Sequence, residues 1–140
     1  MLNHCGSKKR WDEAIALMSS ASKEELDGLL RFKHATGNTA LSMALSWAVP
    51  HDALLSMFSN IIRKGIDLEQ ILAITNNEDY YALHWAAIKC SLDGLKLVIK
   101  HSPSSALTAK IKDGRTPWVL ARNAKMPDNV EYLEEVSTVI

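Results

Sequence analysis

The side chains that could do chemistry crowd into one stretch, Asp79 to Ser102, where His84, Cys90 and His101 lie close in sequence. Imidazole and thiolate are zinc ligands, and a thiol beside a histidine base is a nucleophile. The whole chain holds five histidines and two cysteines. Their spacing argues against both uses, because no HExxH or paired-cysteine pattern occurs around them. Cys90 falls at an inter-helix turn, where solvent exposure is expected, but no base is positioned beside it in sequence. The pairs Glu24-Glu25 and Glu134-Glu135 are consecutive, so on a helix they point about 100° apart and do not converge on a substrate. No Walker loop, GxGxxG or GxSxG elbow is present. No cofactor, metal or catalytic residue is therefore expected. The alternative is a small α-helical enzyme or ligand-binding subunit with a site near His84 and Cys90.

Composition narrows the class further. At 140 residues the chain is one domain's worth, and its 47% hydrophobic and 23% charged residues suit a helical globular protein. Sixteen basic and sixteen acidic residues cancel, so no global field favours nucleic acid, and none is expected as a partner. Cys5 and Cys90 are too few for a disulfide framework, which points to an intracellular compartment, cytoplasmic or nuclear. No apolar run approaches 18 residues, so no membrane span or signal peptide is expected. Lys8-Lys9-Arg10 reads as a solvated edge rather than a nuclear signal.

The elements that position these residues are helices. Trp11, Ala14, Ile15, Leu17 and Met18 make a helical stripe, and Ser22 with Glu25 forms a capping box opening a second helix through Phe32. Together they predict a helical hairpin. Thr39 caps the next helix, Pro50 ends it, and another runs from about Asp52 to Lys64 with Gly65 as its C-terminal cap. Asp67 with Gln70 predicts a short extra helix, again with reciprocal capping. Thr116-Pro117 opens a late helix with proline at its first position, and a last helix follows from Pro127 to about Val136. No strand-length alternation appears, so the class is all-α.

Superposing the helix starts aligns Thr39, Tyr81 and Thr116, with Leu41, Leu83 and Trp118 two positions on and Ala44, Ala86 and Ala121 three beyond those. The offsets are 81 − 39 = 42 and 116 − 81 = 35 residues. Recurrence in phase is a repeat signature. Tyr81-Ala82-Leu83-His84-Trp85-Ala86-Ala87 and Asp113-Gly114-Arg115-Thr116-Pro117 resemble the ankyrin repeat, whose pattern is a glycine turn, Thr-Pro-Leu-His-x-Ala-Ala and an apolar second helix. The sequence departs from that pattern at Tyr81, and at Cys90 and Lys125 where an inter-helix glycine is expected. The resemblance implies an ankyrin-like solenoid of about four helix-turn-helix units, near 8–34, 35–76, 77–111 and 112–140, the first being an N-terminal cap. It implies irregular fingers, a turn-bonding role for His84, and core positions for Trp85 and Trp118.

It also implies a non-catalytic protein-interaction module, a scaffold, adaptor or inhibitor, whose partner is another protein. The partner surface would comprise turn tips and outer first-helix positions. These are Thr36, Asn38, Ser46 and Trp47 in the second unit, and Asn77, Glu78, Tyr80, Ile88 and Lys89 in the third. In the fourth they are Lys112, Asp113, Arg115 and Asn123. The apolar tail Val136, Val139 and Ile140 adds an expectation of self-association through the C-terminal end.

Overall fold

Polar side chains placed one residue before an apolar run decide where the helices of this chain begin. Ser22 Oγ accepts from Glu25 N at 3.1 Å while Glu25 Oε1 accepts from Ser22 N at 2.9 Å, completing the predicted capping box. The hydroxyls of Thr39, Ser91 and Thr116 accept from the backbone N–H three residues on, at 3.3, 3.4 and 3.4 Å. Asp67 caps as expected, but Gln70 does not reciprocate; its Oε1 accepts from Arg31 Nη2 at 3.1 Å instead.

The computed structural model describes residues 8–139, and the side chains of residues 11–136. Its described helices are α1 (Lys8–Ser20), α2 (Lys23–Arg31), α3 (Ala40–Ser46), α4 (His51–Arg63) and α5 (Leu68–Leu72). They continue with α6 (Ala82–Lys89), α7 (Leu92–His101), a 3-10 helix (Ser104–Thr108), α8 (Pro117–Asn123) and α9 (Pro127–Val139). No strand occurs among the described residues, so the class is all-α.

Three helices end with a left-handed residue. Gly65 (φ 80°) follows α4, Ala48 (φ 60°) follows α3 and Lys125 (φ 60°) follows α8. In each, the next N–H returns to the helix: Ile66 to Ile61 O, Val49 to Ala44 O and Met126 to Ala121 O, at 3.2, 3.2 and 3.1 Å. A side chain in that region costs roughly 1–2 kcal/mol, partly offset by the flexibility of a glycine in the unfolded chain. Lys125→Gly is therefore expected to stabilise the protein by about 0.5–1 kcal/mol, read as a higher urea midpoint at unchanged slope. α6 ends differently, with Cys90 extended at φ −88°. Its last carbonyls are met from across the fold, where buried Asn129 Nδ2 donates to Ala87 O at 3.1 Å and Cys90 O at 3.0 Å. That is how the sequence dispenses with a glycine there.

The helices pack side by side, α3 on α6 and α6 on α8, with α4 on α7 and α7 on α9 behind them. Buried Ala44, Ala86 and Ala121 let the backbones approach closely. Between the two rows lie Leu45, Leu54, Phe58, Ile61, Leu83 and Leu95, each no more than 1% exposed.

Two expectations are corrected. The N-terminal hairpin does not close on itself as a capping pair, because α1 packs along α4 and α2 along α3. Lys64 Nζ, just past α4, donates to Ser19 O at 2.9 Å and Ala21 O at 2.5 Å, so α1 and α4 end side by side and run the same way. Trp85 and Trp118 are half-buried at the edge of the core, while Trp11 is the tryptophan buried within it. The tail reading falls partly outside the described residues, where the side chains of Val139 and Ile140, like those of Cys5, Lys8, Lys9 and Arg10, lie; Val136 is half-buried against the core.

Candidate functional site

Three turns carry one hydrogen-bond pattern. His34, Asn76 and Ile111 each donate N–H to the carbonyl four residues on, Asn38, Tyr80 and Arg115, at 2.9, 3.1 and 2.9 Å. Their own carbonyls accept from Gly37, Asp79 and Gly114 at 2.8, 3.0 and 2.8 Å. The residue that donates this second N–H has positive φ each time, 85°, 66° and 94°, which glycine meets freely and aspartate tolerates. These turns are 76 − 34 = 42 and 111 − 76 = 35 residues apart, the offsets of the helix starts.

The turns are also bonded to one another. Asn77 N donates to Thr36 O and Lys112 N to Glu78 O, both at 3.0 Å, and Asn77 Nδ2 donates to Ala35 O at 3.0 Å. Asn76 locks the middle turn: its Oδ1 accepts from Glu78 N at 2.8 Å and Tyr80 N at 2.9 Å, and its Nδ2 donates to Asn38 Oδ1 at 3.0 Å. Asn38 Oδ1 also accepts from Trp85 Nε1 at 3.3 Å. Tyr80 stacks on the Trp85 ring, with centroids 4.5 Å apart and planes at 22°. In the third turn Arg115 Nη2 sits 2.7 Å from Asp113 Oδ2, and its hydrogen bonds hold the Asp113 carboxyl below its usual range.

The structure thus joins Thr36, Asn38, Asn77, Glu78, Tyr80, Lys112, Asp113 and Arg115 into one ledge, with Thr36, Asn77, Glu78, Lys112 and Asp113 exposed. Trp47, Ile88, Lys89 and Asn123 lie at the far ends of α3, α6 and α8, separate from the turn bonding, with Ile88 half-buried. Sequence reasoning placed Trp85 within the core, where it is half-buried at the edge, and gave Asn76 a place in a turn but no part in holding the turns together. The signal for Trp85 was its place at the free position of the motif, directly after His84.

His84 and Cys90 do not form an accessible pair. His84 Nδ1 accepts from Tyr81 N at 2.9 Å, and Nε2 lies 2.9 Å from Ala109 O. A carbonyl only accepts, so Nε2 carries the proton and Nδ1 does not, which is the neutral imidazole. Burial holds its pKa below the ordinary value, against the opposing pull of the Ala109 carbonyl. Tyr81 lends no side chain to cap α6, and His84 takes over by binding its N–H. Cys90, expected to be exposed, is 1% exposed, and burial pushes its thiol up to about 12. Neither a free imidazole nitrogen nor a thiolate is presented to solvent there. Among the described residues no three His, Cys, Asp or Glu side chains are grouped to share a metal ion. No described helix is long and apolar enough to cross a membrane.

No family model and no curated protein sequence matches the chain. A chain in the crystal structure of the yeast ribosomal protein Rps3 in complex with its chaperone Yar1 is similar over 90% of this chain and 91% of that chain, with a TM-score of 0.60. At 19% identity, that likeness shows the fold alone.

Proposed function

We propose that this protein is a non-catalytic protein-interaction module, a divergent ankyrin-like array whose partner seats on the ledge of turn tips and on the outer positions of α3, α6 and α8. The observation that carries the reading is the recurrence of one turn at offsets of 42 and 35 residues, bonded turn to turn across its length. Such a ledge is rigid before binding, so little loop entropy is lost on association. It also displays side chains of the types that dominate interfaces: a Tyr80–Trp85 stack and Arg115, which its own carboxylate orients. The irregular fingers suit this reading, since α5 and the 3-10 helix fill the linkers ahead of the turns. The fold-level neighbour comes from a complex between two proteins, which agrees with a protein partner.

The test is affinity capture from native lysate with the wild-type chain and a Tyr80→Ala/Arg115→Ala variant. Both side chains reach solvent, so the variant keeps its fold, checked by circular dichroism. Captured partners are expected to fall by about tenfold or more, as for a hot-spot pair. Retention of every captured protein at wild-type level would sink the reading.

A further inference from the structure

The end of α8 and the first half of α9 enclose an open hollow of about 650 Å³ whose charges are sorted by side. The α8 side is cationic, with Arg122 in the last turn of the helix and Lys125 just past it. The α9 side is acidic: Glu131 and Glu134 stand with Pro127 and Val130 at spacings of three and four, on one face of that helix. Met126 and Val130, both half-buried, supply apolar lining. Both cations and both carboxylates are exposed.

The two sides do not neutralise each other within one chain. Among the described residues, neither Arg122 nor Lys125 forms an ion pair with Glu131 or Glu134. Arg122 lies instead over the Trp118 ring, its Cζ 4.9 Å from the ring centroid. A guanidinium stacked by its face keeps its edge N–H groups for a carboxylate. The dipole of α8 accounts for only part of the cationic side, since a helix end carries about half a negative charge against two full positive ones. What is left is a patch positive toward α8 and negative toward α9.

We infer that this hollow is a self-association surface: two copies of the chain meet there about a two-fold axis, each setting Arg122 and Lys125 against Glu131 and Glu134 of the other. A two-fold contact lays each side of a patch on the opposite side of its counterpart, so a patch with opposite charges on its two sides is complementary to itself. The spacing of the charges matches of necessity, because both copies hold α8 and α9 apart by the same packing. An unrelated partner would need that spacing built independently. The contact is small and charged, so the dimer is weak: exposed ion pairs contribute little singly, and salt screens them. It is distinct from the apolar tail, whose Val136 is half-buried against the core, and it does not depend on the turn ledge.

The test is sedimentation equilibrium of the whole chain. At about 50 mM salt a monomer–dimer equilibrium is expected, with a dissociation constant on the order of 100 µM that weakens about tenfold at about 500 mM salt. Arg122→Glu/Lys125→Glu and Glu131→Lys/Glu134→Lys change exposed positions only, and circular dichroism checks that each variant keeps its fold. Each alone is expected to bind itself at least about tenfold more weakly than wild type, because like charges then face one another. Mixed in equal amounts, the two are expected to restore a dimer at wild-type affinity or tighter, since one hollow is then all acidic and the other all basic. Tyr80→Ala/Arg115→Ala is expected to dimerise like wild type, so this surface and the turn ledge fail or succeed separately. A wild type that stays monomeric at about 1 mM, a charge-reversed variant that dimerises as well as wild type, or a mixture that stays monomeric overturns the inference. So does a monomeric wild type that loses a captured protein on charge reversal, because a partner chain would then be the occupant.

Discussion

Replacing His84 with phenylalanine is expected to destabilise the protein by about 3 kcal/mol, although the ring volume is largely kept. The loss comes from two half-buried partners left without their bonds to the imidazole, the Tyr81 N–H and the Ala109 carbonyl, each costing about 1–3 kcal/mol when orphaned. His84 is 0% exposed, so a ring that fills its place leaves no room there for a water to replace the imidazole. Because Ala109 lies just beyond the 3-10 helix, the same change loosens that linker from α6. A urea midpoint that falls at unchanged slope would confirm the size; a change under about 0.5 kcal/mol would refute it.

The same histidine sets a pH dependence. Its folded pKa lies below the ordinary 6.5, so the folded state favours neutral imidazole. Above pH 6.5 both states are neutral and the contribution is fully present; as pH falls below 6.5 the unfolded chain binds the proton first, and stability declines until the folded pKa is passed. His101 adds in the same direction, lowered first by burial and then by Lys100. Glu25 and Asp113, also lowered, act in a separate window below their ordinary 4.5 and 3.8. Stability measured from pH 7 to 5 is thus expected to fall in the wild type and to fall less in His84→Phe. Equal slopes would show that His84 is not the titrating group.

What the sequence made legible was local. Ser22 with Glu25, Thr39, Gly65 and Thr116-Pro117 act within a few residues of themselves, so their effects can be read from spacing. The spacing of Thr39, Tyr81 and Thr116 carried the long-range order as well, because the turn bonds recur at the same offsets. What escaped was the choice of neighbour. The stripe on α1 says that a face is buried, and cannot say that α4 rather than α2 covers it. Cys90 sits where a turn would expose it, and its burial follows from Asn129, 39 residues away, reaching over the end of α6. Trp85 reads as core from its place in the repeat pattern, yet its indole N–H bonds Asn38, 47 residues earlier, and its ring stacks on Tyr80 at the rim of the ledge. The candidate surface was therefore visible as turn positions and invisible as an aromatic platform.

Gly37→Ala is expected to cost about 3–4 kcal/mol, and Gly114→Ala only about 1–2 kcal/mol, although both glycines have positive φ at the same turn position. The difference isolates the contact between turns. A Cβ on Gly37 would stand 2.5 Å from Asn77 Oδ1 and 2.6 Å from Asn77 N, separations real Cβ atoms do not adopt. Asn77 must then retreat, and it cannot do so while its N–H holds Thr36 O and its Nδ2 holds Ala35 O. Two hydrogen bonds at about 1 kcal/mol each are added to the backbone strain. At Gly114 nothing lies within 4 Å of the added carbon, so only the strain of an alanine at φ 94° remains. The measurement is the pair of urea midpoints, with amide exchange at Asn77 as a second readout. Faster exchange there in Gly37→Ala, and not in Gly114→Ala, is the expected result. Equal losses in the two variants would mean that the first two turns are not held together as one ledge, and the proposal of a rigid docking surface would go with them.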